Sequence, residues 1–205
     1  MIFTRTQIPD IWIIEPKVFG DNRGYFMEAF KKQEFEEHIG PCNFIQDNES
    51  RSSKGVWRGF HYQLEPYAQS KLVRIIQGSV LDVAVDIRKG SPTFGKYVAI
   101  ELSGKNKRQL FIPNGFAHGF FVMSKTAVFT YKVDNPYMPA YERAILFSDP
   151  AIGIEQDMIS GQLQMAQPLF AIKRDILGGQ TVILSDKDRQ APLLCDAENN
   201  FLYKQ

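Results

Sequence analysis

LVRIIQGSVLDVAVDI, residues 72–87, holds two runs of aliphatic residues joined through Gln77-Gly78. In the second run Leu81, Val83, Val85 and Ile87 alternate with Asp82, Ala84, Asp86 and Arg88. A period of two is the pattern of a strand, and the first run, LVRII (72–76), is rich in the branched side chains that strands favour. Outward from this stretch, KYVAIEL (96–102), RQLFIP (108–113), HGFFVM (118–123) and AVFTYKV (127–133) repeat the same signal between turns. From Asn43 to Phe147 the chain therefore reads as a succession of short strands. Regular spacing of this kind predicts an all-β barrel or sandwich.

The flanks add little that competes. FKKQEFEEHI (30–39) spaces Phe30, Phe35 and Ile39 along one side and ends at Gly40-Pro41, which predicts one short helix. After Asp149-Pro150 the character changes. Residues 156–180 scatter apolar side chains among Gly161, Pro168 and Gly178-Gly179, which suggests an excursion containing a helix. TVIL and the segment SDKDRQAPLL follow, and no linker marks off a second domain, so residues 1–205 are expected to form one domain.

Composition narrows the function classes. The chain has 205 residues, 44% hydrophobic and 23% charged, which is ordinary for a globular protein. Lys plus Arg number 24 against 23 Asp plus Glu. No broad field draws nucleic acid or an anionic membrane, so an anionic ligand must be held by a few local cations. The first residues, MIFTRTQIPDIWIIEP, predict neither a secretion signal nor a transit sequence. No apolar run approaches the roughly 20 residues that cross a bilayer. Cys42 and Cys195 offer no disulfide framework, so the expected location is the cytoplasm.

Phosphate-loop, dinucleotide and nucleophile-elbow motifs are all missing. The three histidines are His38, in the charged helix, and His61 and His118, each within a strand pattern beside glycine and aromatic residues. GVWRGFHYQ (55–63) and PNGFAH (113–118) resemble the two motifs of cupins, barrels in which histidines and a carboxylate converge on one centre. Pro113, Gly115 and His118 fit the second motif. In the first, Gln63 stands at the second histidine position, and the expected carboxylate position falls near Tyr67 and Ala68. A divalent transition metal needs three or four N, O or S ligands, so no metal is expected. The imidazoles then suit proton transfer: a neutral ring held by a carboxylate is a base for a carbon acid beside a carbonyl. Such chemistry also needs a cation at the developing enolate oxygen and an acid on the opposite face. Lys71, Tyr131 and an aspartate are the candidates.

Five long segments then resemble one family in order: IIEPKVFGDNRGYFMEAF (13–30), FIQDNESRSSKGVWRGFHYQ (44–63), KLVRIIQGSVLDVAVDIRKGSPTFGK (71–96), FIPNGFAHGFFV (111–122) and SDKDRQAPLL (185–194). They are similar to dTDP-4-dehydrorhamnose 3,5-epimerases. The resemblance implies a cupin-type jelly roll, a double-stranded β-helix barrel with a few short peripheral helices. It implies a homodimer without a cofactor, acting on a dTDP-sugar in dTDP-L-rhamnose synthesis. In that family dTDP-4-dehydro-6-deoxy-D-glucose is inverted at C3 and C5. Matched by motif, His61 would be the base, Asp188 its paired carboxylate, Tyr131 the acid and Lys71 the cation near the 4-keto oxygen. His118 would line the pocket. Arg23, Glu28, Gln46, Asp47, Asn48, Arg58, Glu142 and Lys187 would contact the nucleotide sugar, and Tyr137 would stack on thymine. The excursion at about 156–180 is atypical of the family pattern.

The same residues also have plain structural readings. His61 reads equally as a satisfied barrel histidine, Tyr131 as a core aromatic, and Lys71 and Lys187 as surface lysines. Ser185-x-x-Asp188 reads as a capping box opening a short helix. Two other functions stand beside the resemblance: an epimerase acting at a single carbon, and a non-catalytic cupin that binds nucleotide sugars. Strict alternation puts His61 and Gln63 on one strand face and Arg58 on the other. If Arg58 also reaches a ligand, a bulge is expected at Gly59.

Overall fold

The alternating runs read from the sequence become strands, and the strands between residues 79 and 122 bury nearly every residue on both faces. A computed structural model describes residues 1–163, 176–179 and 181–204. At the N-terminus lie β1 (Ile2–Arg5), β2 (Trp12–Glu15), β3 (Val18–Asp21), β4 (Gly24–Met27) and helix α1 (Lys32–His38). The central run contains β5 (Gln46–Ser53), β6 (Trp57–Gln63), β7 (Lys71–Gln77), β8 (Ser79–Asp86), β9 (Tyr97–Ser103), β10 (Gln109–Ile112), β11 (Phe116–Val122) and β12 (Thr126–Val133). A 3-10 turn at Pro139–Tyr141, β13 (Glu142–Ala144), α2 (Ile154–Ser160) and α3 (Asp186–Arg189) complete the described elements. Each strand expected between residues 72 and 133 is present, as is the helix expected at 30–39. Strands β1 to β4, which carry weaker alternation, are additions.

A six-stranded sheet, β1-β2-β10-β7-β12-β5, faces a five-stranded one, β13-β6-β11-β8-β9. This is the all-β, cupin-type jelly roll that the resemblance implies. Between the sheets, Ile13, Val73, Ile75, Leu110 and Phe129 of the first interleave with Ala84, Val98, Ile100, Phe116 and Phe120 of the second. The outer face of the five-stranded sheet is also apolar. Trp57, Tyr62, Leu81, Val83, Val85 and Phe121 pack beneath Phe147, Ile152, Met158, Leu194 and Phe201 of the C-terminal third. That cover buries the second face of β8, while its polar members Asp82 and Asp86 lie on the other face with Val80 and Ala84, fully enclosed between the sheets. Asp149 ties the cover down, accepting from Leu194 N at 2.6 Å and Ala151 N at 2.8 Å.

Two features place the site. Ser185 caps α3, its Oγ accepting from Asp188 N at 3.1 Å, so the N-cap half of the expected capping box forms, while the Asp188 carboxylate turns to the Ser185 hydroxyl and His61. In β6, His61 pairs with His118 while Arg58 pairs with Phe120, so β6 advances three residues where β11 advances two. The extra residue is the bulge expected near Gly59. Gly59 has φ +124°, and a Cβ there would lie 2.4 Å from His118 O and 2.5 Å from Gly119 Cα. Of the 156–180 excursion, α2 supplies the first turns, whereas 164–175 and 180 lie outside the described residues.

The bulge is thus the point at which β6 admits only glycine. Gly59→Ala is expected to destabilise the fold by about 3 kcal/mol, combining a left-handed backbone with a backbone clash. Urea unfolding at constant m-value measures it, and an unchanged midpoint would show that the bulge tolerates a side chain.

Candidate active site

His61 and His118 are direct partners across β6 and β11, yet the barrel gives them different surroundings. His61 Nε2 lies 2.6 Å from Asp188 Oδ1. The imidazole keeps 31% of its side chain exposed, while Asp188 keeps 4%: a ring open to solute, braced from behind by a buried acid. Burial alone would push the Asp188 carboxyl up. Its bond to His61, the His61 charge, the Ser185 hydroxyl and Lys187 together outweigh burial and hold it below the usual carboxylate range. An ionised carboxylate only accepts, so the proton between them belongs to Nε2, and in the uncharged form of the ring the free lone pair is on Nδ1. Ser185 orients the carboxylate further, donating from Oγ to Asp188 Oδ2 at 2.8 Å. The structural and the chemical readings of Asp188 therefore coexist, because the cap aims the acid.

His118 is buried and its Nε2 spans both oxygens of Asp82, at 3.0 and 3.1 Å. Asp82 escaped the sequence reading; the signal was an acid on a strand whose neighbours on both sides are core strands, where burial demands a partner. Lys71, at the start of β7, faces this pair. Burial pushes its ammonium down to about 8, against the pull of Asp82 and Glu142. Beneath them Phe120 and Phe129 stack with centroids 4.2 Å apart.

Tyr131 stands on β12 between Asn48 of β5 and Val73 of β7. Burial raises its phenol above the usual tyrosine range, partly countered by Arg58 and by a hydrogen bond with Asn48. Arg58 donates from Nε to Ser52 Oγ at 2.8 Å, which fixes the guanidinium near Tyr131. Gln46 and Asn48 share one face of β5 and bond each other at 2.7 Å. At the mouth, Tyr137 donates to Glu142 Oε2 at 2.6 Å and Lys187 pairs with the same oxygen. Burial pushes Glu142 up, but Lys187, Tyr137 and the His61 charge bring it below the ordinary glutamate range. The line Tyr137–Glu142–Lys187 thus ends one residue from Asp188.

Three of the residues matched by motif stand apart. Asp47 faces outward and pairs with Lys132 at 2.8 Å. Arg23, with 85% of its side chain exposed, pairs with Asp21 on the β3–β4 hairpin. Exposed Glu28 follows that hairpin and acts on Lys31. Among the described residues no hydrogen bond or ion pair joins Arg23 or Glu28 to the His61 group.

An open imidazole braced by a buried carboxylate, with a phenol and an amine nearby, is equipment for moving protons on carbon, and on a jelly roll it defines a cupin-type isomerase. The family model described as dTDP-4-dehydrorhamnose 3,5-epimerase matches residues 5–196. The chain belongs to that family. The Shigella flexneri dTDP-4-dehydrorhamnose 3,5-epimerase is 53% identical over 195 residues, covering 95% of this chain and 96% of that protein. The Pseudomonas aeruginosa enzyme of the same name is 46% identical over 196 residues, covering 95% and 97%. A crystal structure of the Legionella pneumophila dTDP-6-deoxy-D-glucose-3,5-epimerase in complex with dTDP-4-keto-L-rhamnose superposes with a TM-score of 0.82 at 46% identity, covering 95% and 93%.

The lysine offers a direct measurement. Reductive ¹³C-methylation is expected to show one dimethyl-lysine signal titrating near pH 8, well below the ordinary lysine range. It should vanish in Lys71→Arg; a Lys71 signal that titrates with the surface lysines would refute its burial.

Proposed function

We propose that this chain is a cofactor-independent epimerase that converts dTDP-4-dehydro-6-deoxy-D-glucose into dTDP-4-dehydro-L-rhamnose by inverting C3 and C5. The observation that carries this reading is the 2.6 Å contact between exposed His61 and buried Asp188. Hydrogens on C3 and C5 are both α to the C4 ketone, so one base and one enolate site serve both centres in turn.

In this reading His61 Nδ1 takes the proton from carbon, and Asp188 stabilises the imidazolium that forms. The C–H electron pair becomes the C=C of the enolate and its charge settles on the C4 oxygen. Lys71, cationic below about pH 8, stabilises that oxygen, with His118 beside it. Tyr131, kept protonated by burial, gives its proton to the opposite face of the same carbon, which inverts it. Solvent then removes the proton from His61 and restores the one on Tyr131 before the second centre reacts. Arg58 and Lys187 meet the diphosphate as charge-assisted donors, with Gln46, Asn48 and Glu142 on the sugar nucleotide and Tyr137 over the thymine.

Arg23 and Glu28 fit this reading through the homodimer. Val18, Phe19, Tyr25 and Phe26 leave the β3–β4 hairpin with an exposed apolar surface beside Arg23. Covered by a second copy, the hairpin would carry Arg23 and Glu28 to the partner's substrate.

In deuterated water the protein is expected to incorporate deuterium and invert at both C3 and C5, read by NMR. His61→Ala and Tyr131→Phe should each lose about 10²–10⁴-fold in turnover, and turnover should fall as pH rises through about 8 with loss of the Lys71 cation. Inversion at one carbon would indicate the single-carbon epimerase, and near-normal turnover of His61→Ala would refute the mechanism. Mixing Arg23→Ala with His61→Ala should restore about a quarter of wild-type activity after subunit exchange, because only hybrid dimers own one complete site. No restoration would place Arg23 within its own chain's site.

A further inference from the structure

Gln63 occupies the position where a metal-binding cupin carries its second histidine, two residues beyond His61 on β6. Its side chain is buried, and the carboxamide is wholly engaged with backbone. Nε2 donates to Tyr67 O at 2.6 Å and to Pro136 O at 3.1 Å. Oε1 accepts from Met138 N at 2.6 Å. Pro136 O and Met138 N belong to the two peptide groups that bracket Tyr137. One side-chain amide therefore grips the chain on both sides of a single residue, as a neighbouring strand would.

Just before Pro136, the loop is held at other points. Asn135 Nδ2 donates to Ala68 O and Gln69 Nε2 to Asn135 O, both at 2.7 Å, and Asp134 accepts from Ser70 N at 2.7 Å. These bonds fix the start of the loop beside Lys71. None of them touches the peptides on either side of Tyr137. Tyr137 itself has 53% of its surface exposed and one side-chain bond, to Glu142 Oε2. Glu142 is in turn the cross-strand partner of Gln63. With so little packing around it, the ring takes its place from its backbone.

We propose that Gln63 is a positioning residue that sets Tyr137 over the mouth of the site and so determines affinity for the nucleotide, while taking no part in proton transfer. This rests on the role given to Tyr137 above. An amide suits the task because it donates two bonds and accepts others in one plane. A histidine at this position could not supply the same three bonds.

The test is a double-mutant cycle between Gln63→Met and Tyr137→Ala, read by calorimetric binding of dTDP and by steady-state kinetics. Gln63→Met is expected to weaken dTDP binding and raise KM by roughly tenfold, with kcat within about twofold and the pH profile of kcat unmoved. In the Tyr137→Ala background the same substitution should cost no further affinity. Equal losses in both backgrounds, a fall in kcat with unchanged KM, or wild-type binding by Gln63→Met would each overturn the proposal. Gln63→Glu, isosteric and still able to accept from Met138 N, covers the case in which Gln63→Met does not fold; it should show the same split between KM and kcat, and wild-type KM would overturn the proposal. Failure of the wild-type protein to bind dTDP would instead refute the function on which the inference rests.

Discussion

A carboxylate can be enclosed in a protein only when donors or cations meet it, and removing one partner of a buried pair typically costs about 3–5 kcal/mol. The polar end of this barrel is organised by that constraint. Asp188 is met by His61, Ser185 and Lys187; Glu142 by Lys187 and Tyr137; Asp82 by His118. Among the described residues no buried side-chain nitrogen or oxygen lacks a partner. Satisfaction at this level makes the geometry stiff: His61 cannot turn without costing Asp188 its bond to the ring, and the Asp188 side chain cannot turn without losing His61 and the Ser185 hydroxyl together. The ring held by this chain of obligations is also the one left open to solute, so the rigidity is delivered where a base would need it.

Much of the fold was legible because the central strands obey a period of two over long runs. The interval from Lys71 to Val133 contains six strands, and apolar alternation locates all of them. The N-terminal strands were harder. β3 and β4 are exposed along most of their length, so no burial pattern was impressed on VFGD or GYFM. The alternation in β8 was visible, but its meaning was not. A polar face on a strand ordinarily points to water; here Asp82 and Asp86 share the face of Val80 and Ala84 between the sheets, and the C-terminal third of the chain, distant in sequence, covers the apolar face instead. Long-range burial of that sort leaves no local trace.

The site was legible to the extent that its residues lie in distinctive short motifs. His61 and His118 pair across β6 and β11, Lys71 and Tyr131 lie on the adjacent strands β7 and β12 of the facing sheet, and a bulge stands near Gly59, where one is expected if Arg58 is to share a ligand with His61. What the motifs could not convey was which polar residue answers which. Asp82 and Ser52 have no signature of their own; one is defined by meeting His118 and the other by holding Arg58. Asp188 lies 127 residues from His61, and the 2.6 Å contact between them exists only once α3 is capped against β6. Arg23 and Glu28 mark another limit, since motif matching groups them with the site while the structure sets them on or beside an exposed hairpin, with no hydrogen bond or ion pair to the His61 group among the described residues.

The barrel also indicates how a cupin scaffold serves proton chemistry. In a metal-binding relative of this architecture the imidazoles of the two motifs must turn their lone pairs toward one common point. Here each ring spends its Nε2 on a carboxylate of its own, Asp188 for His61 and Asp82 for His118. The third position of the motif, Gln63, spends its amide on the backbone around Tyr137. Three positions able to converge on an ion are thus assigned to three separate duties. The difference in exposure then separates the two histidines, 31% of the side chain for His61 against 8% for His118. An exposed ring with an ionised partner can exchange protons with substrate and solvent; an enclosed one, sharing its carboxylate's neighbourhood with the Lys71 ammonium, is suited to hold a fixed dipole toward an oxygen. One scaffold therefore sets an open ring and an enclosed one opposite each other on a single rung of the β6–β11 ladder.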